Sequence, residues 1–183
     1  MSNISDKIWI TGRTRMGSEA RLRRQATLWN LLIVWYTVAL SCLSVYQLVA
    51  EPNSNRNVVS TIMAIIVMSL SIFIPTLGFE RKADQFRACY LRLQRLSDTV
   101  NDPATLCVQY HEILENFPNH PTHDWIALLV SSKMQGTPIE NNGTEIPVTN
   151  CMIIKRYIWN FSQGAVWFIA FLVPLGLYTW LIR

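Results

Sequence analysis

The chain has 183 residues, half of them apolar and only 15% charged, with a formal net charge of +4. Soluble domains usually carry about 25% charged residues, and here the deficit is gathered into three long uncharged blocks flanked by cations. That pattern excludes an ordinary soluble enzyme; it suits a membrane interface or an anionic cytoplasmic ligand, with no nucleic acid polymer expected as partner.

Residues 1–17 are polar and hold Gly12 and Gly17, so the expectation is a loose tail or a short surface helix. Ser18 followed by Glu19-Ala20-Arg21-Leu22-Arg23-Arg24 reads as a capped basic helix start. The helix then runs without a breaker to about Val49. Residues 1–26 form the basic N-terminal cytoplasmic segment of this reading.

Residues 27–49 and 58–77 contain no charge, and each block has the length an α-helix needs to cross about 30 Å of hydrocarbon. Between them Glu51, Pro52, Asn53 and the residues to Asn57 make a short polar turn that reverses the chain, giving a transmembrane hairpin over residues 27–78. Buried helices of a soluble bundle would show Lys or Glu at every third or fourth position; these show only Ser, Thr, Asn and Gln. Lys7, Arg13, Arg15, Arg21, Arg23 and Arg24 precede the first block and Arg81, Lys82, Arg87, Arg92 and Arg95 follow the second, against Arg56 alone in the turn. The positive-inside rule therefore places the N-terminus in the cytoplasm. No cleavable signal peptide fits this pattern.

Asn30, Thr37, Ser41, Ser44 and Gln47 recur at helical spacing along one side of the first block, with a thinner set at Thr61, Ser69 and Thr76 in the second. Two roles are open to them: hydrogen bonding between membrane helices, or the wall of a pore. Pro75 and Gly78 mark a kink or hinge near the end of the second block.

Phe79, Ala83, Phe86, Tyr90, Leu93 and Val100 then predict an amphipathic helix that stops at Asn101-Asp102-Pro103. A helix over residues 104–115 follows, with Leu106, Tyr110, Ile113 and Leu114 on one side. A Pro-punctuated corner, residues 117–121, leads into a short helix ending near Gln135 with Gly136 as its stop. Residues 137–150 read as a loop. Residues 79–156 thus make a cytoplasmic helical region, and residues 157–183 a third transmembrane helix, in which Gly164, Pro174 and Gly176 leave a re-entrant or surface course open. The fold class is all-α: an integral membrane helical hairpin, cytoplasmic helices and this third span. Cys42, Cys89, Cys107 and Cys151 show no CxxC pairing and are expected as free thiols, and the sequons at Asn142 and Asn160 are read as chance matches on the inner side.

No P-loop, GxGxxG, HExxH or GxSxG stands in the chain, so no enzyme and no cofactor are expected. The one cluster with chemical potential surrounds the corner. Tyr110, Asn119, His120 and Asp124 are read as a structural corner that pins two helices by hydrogen bonds. A metal held by His120, His123, Asp124 and Glu112 or Glu115 is the lesser alternative, because Pro121 spoils the helical presentation of the histidines and the spacing matches no hydrolase pattern. Arg21, Arg23, Arg24, Arg81, Lys82 and Arg87 form a basic belt suited to anionic lipid headgroups or to a phosphate-bearing signal.

A basic helix entering the first span, a tight two-span hairpin, a charged helix after it and the corner from Tyr110 through Asn119-His120 to Asp124 together resemble the SLATT family, small bacterial membrane proteins of antiviral conflict systems. The resemblance covers roughly residues 18–135, the last apolar segment standing as an added C-terminal helix. It implies a bacterial inner-membrane effector of abortive infection, assembled as a homo-oligomer into a pore or ion channel. The trigger it implies is a nucleotide second messenger or a signal-producing partner protein. Competing readings are a non-catalytic membrane anchor or assembly subunit, and a membrane enzyme using His120 and His123.

Overall fold

The computed structural model describes residues 4–49, 54–100, 102–141 and 143–182. Six helices appear among them: α1 (Ile4–Val49), α2 (Ser54–Thr76), α3 (Phe79–Thr99), α4 (Pro103–Glu115), α5 (Thr122–Met134) and α6 (Asn150–Ile182). The fold is all-α apart from a two-residue antiparallel ladder, β1 (Glu140–Asn141) with β2 (Thr144–Glu145). That ladder corrects the loop expected there. The Asn-Gly dipeptide is a hairpin signal, and Gly143 supplies the positive φ, 71°, that the tight turn requires.

Two further boundaries differ from expectation. The helix start at Ser18 is overturned, because α1 runs unbroken from Ile4 and Ser18 lies buried in its interior. Burial of Ile8 and Ile10 outweighs the modest helix cost of Gly12 and Gly17. Residues 54–57, expected in the turn, belong to the first turn of α2, while Glu51, Pro52 and Asn53 lie outside the described residues. Asn101, Asn142 and Arg183 lie outside them as well.

Contacts divide the chain into two compact units, Met1–Arg24 with Glu80–Asn160 and Gln25–Phe79 with Phe161–Arg183. In the first unit, α3 turns Ala83, Phe86, Cys89, Leu93 and Leu96 inward at spacings of three and four. Ile8, Cys89, Leu93, Leu96, Leu106 and Tyr110 form one apolar cluster, and Ile10, Leu129 and Ile139 form another. The break before α4 is set locally. Asp102 caps it by accepting from Thr105 N at 2.9 Å and from Thr105 Oγ1 at 2.5 Å, and these bonds hold the Asp102 carboxyl below the usual carboxylate range. Pro103 occupies the first turn, where its missing N–H costs nothing.

In the second unit α6 runs parallel to α1: Trp29 meets Trp167 edge-on at 4.9 Å and Tyr46 meets Tyr178 at 6.5 Å. Tyr36 donates to Ala170 O at 2.9 Å, and Trp35 Nε1 donates to Phe171 O at 3.0 Å. The first of these bonds has a specific cause. Pro174 has no N–H, so the carbonyl of Ala170, four residues earlier, loses its helical donor and Tyr36 replaces it. On α2, Val67 and Ile74 are buried, and Gln47 and Ser60 are within hydrogen-bonding distance of each other at 3.3 Å. Among the described residues three helices are long and apolar enough to cross a membrane.

Candidate functional site

The N-terminal half of α1 carries a polar stripe not apparent from the sequence: Thr11, Thr14, Ser18 and Arg21, three or four residues apart, with Arg15 beside Thr14. Thr14, Arg15 and Ser18 are wholly buried and Asp124 is 6% exposed. Ser18 Oγ donates to Asp124 Oδ2 at 2.6 Å, while Arg21 grips the same carboxylate side-on, Nε to Oδ1 at 2.8 Å and Nη2 to Oδ2 at 3.0 Å. This fork fixes the start of α5 against α1 with planar, two-point geometry. Tyr110 OH lies 3.0 Å from Thr11 Oγ1 and ties α4 to the same helix.

The corner expected to pin α4 to α5 therefore works differently: Tyr110 and Asp124 each bind α1. Asn119 is exposed, and His120 Nδ1 is buried without a partner. Burial holds His120 below its ordinary pKa, with the Arg15 charge adding to the effect and Asp124 opposing it. His123 is also lowered, by burial first; its ring stacks on Trp159 at 4.9 Å. Arg15 Nη1 donates to Cys89 Sγ, and burial pushes that thiol up while Arg15 pulls it the other way. The four cysteines are free thiols. Among the described residues no three His, Cys, Asp or Glu side chains gather to hold a metal.

The residues of the basic belt are engaged differently. Arg21 is committed to Asp124, and Arg23 bonds Glu19 at 2.8 Å and Asp84 at 2.9 Å, whereas Arg24, Arg81, Lys82 and Arg87 are exposed. Asp124 and Asp84, which engage Arg21 and Arg23, are 103 and 61 positions away, beyond the reach of local pattern reading, whereas Glu19 is one helical turn from Arg23.

The second unit treats polar groups in another way. Asn30, Thr37, Ser41 and Ser44 are exposed, on the side of α1 opposite Leu32, Leu43, Trp35 and Tyr36. Thr37, Ser41 and Ser44 donate to the carbonyls of Ile33, Thr37 and Leu40, four residues back on their own helix, at 2.8–2.9 Å. Thr61 and Ser69 do the same to Asn57 and Ile65, on the side of α2 away from Val67 and Ile74. Gln47 departs from the stripe toward Ser60.

Helices of membrane-crossing length carrying an outward hydroxyl stripe, together with a helical unit that has a partly buried ion pair, are consistent with a helical membrane protein. Residues 1–180 match the family model described as SMODS and SLOG-associating 2TM effector domain family 5, and the chain belongs to that family. The match takes in α6, which the resemblance had set apart as an addition. No curated protein and no solved structure matches the chain.

Proposed function

We propose that the chain is an oligomeric pore-forming effector of a bacterial antiphage defence system, which permeabilises the inner membrane on activation and so kills or arrests the cell. Family membership supports the effector role. The observation that carries the pore is the α1 stripe of Asn30, Thr37, Ser41 and Ser44, exposed in the single chain and opposed to the face that α6 covers. Three helices cannot enclose a channel, so copies must associate, and a closed ring is the economical arrangement. In such a ring the α1 stripe lines water, Thr61 and Ser69 of α2 flank it, and the first unit, on the cytoplasmic side, holds the assembly shut until a nucleotide signal or a signal-producing partner shifts it.

One observation favours the anchor reading instead. Each stripe hydroxyl is already satisfied by its own helix, so the stripe tolerates lipid better than unpaired groups would. Inducible expression with a membrane-potential dye separates the two. A pore predicts rapid depolarisation that Asn30→Leu or Ser41→Leu abolishes and Leu172→Val, on the exposed face of α6, leaves intact. Depolarisation indifferent to the stripe, or a monomer in detergent, overturns it.

A further inference from the structure

Arg15 is fully buried, and beyond Nη1, which reaches Cys89, its Nε and Nη2 have no hydrogen-bond partner. Those two N–H groups form the side-on edge of the guanidinium, the same edge with which Arg21 holds both oxygens of Asp124. Among the described residues no carboxylate stands within ion-pair reach of Arg15, since Asp124, the buried acid, is taken by Ser18 and Arg21. A guanidinium cannot shed its proton to escape the low dielectric, so a buried one calls for an anion. His120 feels the Arg15 charge, and its own buried Nδ1 is unpartnered. It also walls an open cavity of about 330 Å³ with Ile10, Thr11, Thr14, Thr122 and Trp125. The cavity lies at the start of α5, a 13-residue helix whose cap residue, Pro121, provides no side-chain acceptor for its first N–H groups.

We propose that this corner binds a phosphate group, held at two oxygens by Nε and Nη2 of Arg15 and at a third by Nδ1–H of His120, the group entering from the cavity that His120 walls as the enclosed Arg15 edge is uncovered. A carboxylate has two oxygens, both taken by the fork; phosphate has a third for the imidazole. Every residue involved lies in the first unit, so the site stands whether or not copies of the chain form a pore.

The test uses the full chain in neutral detergent, with inorganic phosphate as probe and chloride at matched ionic strength as control. Phosphate should raise the thermal midpoint in a dose-dependent way and broaden the phosphorus resonance of the free ion. Arg15→Met should bind about 10- to 100-fold more weakly, as expected for losing charge-assisted bonds. Arg15→Lys keeps the charge without the fork and should lose roughly tenfold. His120→Gln should weaken binding by less, and exposed Arg24→Gln should leave it unchanged. Displacement of phosphate by short-chain phosphatidic acid would assign the group to a lipid headgroup; no displacement would assign it to a soluble phosphate. A response no larger than that to chloride overturns the site, as does equal binding by wild type and Arg15→Lys, which holds even if Arg15→Met fails to fold. An Arg15-dependent response to acetate with none to phosphate overturns the choice of anion.

Discussion

The two units satisfy their polar side chains in opposite directions. In the first, Ser18, Arg21 and Asp124 are drawn inward and satisfied across more than a hundred residues of chain. In the second, Thr37, Ser41 and Ser44 stay outward and are satisfied by the helix turn beneath them. Meanwhile Val34, Val38, Ile65, Phe73 and Phe168 lie exposed. The difference is the one expected between a unit with a partnered interior and one whose helices are long and apolar enough to cross a membrane. Water rewards burying carbon and makes a partnered polar interior tolerable, whereas on a helix face with no protein neighbour a hydroxyl finds its acceptor in the carbonyl one turn back, whether lipid or a water path lies outside.

The sharpest way to break that comparison is at Asp124. Asp124→Ala leaves the Arg21 fork and Ser18 without their acceptor, and the first unit should lose about 3 kcal/mol, read as lost amide protection in α5 by hydrogen exchange on the full chain. In the second unit the corresponding polar bond is worth less. Tyr36→Phe should cost about 1 kcal/mol in detergent unfolding, and the loss should shrink in a Pro174→Ala background, where the restored N–H serves Ala170 O. A double-mutant cycle with no coupling would remove the account given for that bond.

Acidity acts on the first unit through its histidines. His120 and His123 bind protons less readily folded than unfolded, so as pH falls through the ordinary histidine value of 6.5 the unfolded chain takes up protons first and stability drops. Above that pH their contribution is complete. The thermal midpoint should therefore decline below about pH 6.5, and His120→Gln with His123→Gln should flatten the decline. Smallest of all, Arg23→Gln should lower the midpoint only slightly, because the guanidinium is largely exposed and its pair with Asp84 sits in solvent, leaving the partly buried Glu19 as the contact of more weight.

The apolar blocks were legible because length and absence of charge are local properties. So were the cap at Asp102 and the stop at Gly136, where φ is +72°. The buried stripe on α1 was not. Thr11, Thr14, Arg15 and Ser18 look like a polar tail interrupted by glycines, and only contact with α3, α4 and α5 makes a core of them. Asp124 stands out as a corner residue, but its partner Arg21 sorts with the belt, since pairing at that separation leaves no mark on periodicity. The three-to-four spacing of those α1 residues was the available signal.

Pro174 carries one last consequence. With one main-chain rung missing, the end of α6 is fastened at that point by a phenol and an indole reaching over from α1, so the bending stiffness of one helix is governed by the side chains of another. Deleting a single oxygen at position 36 should therefore loosen a joint in α6 without altering any of its residues.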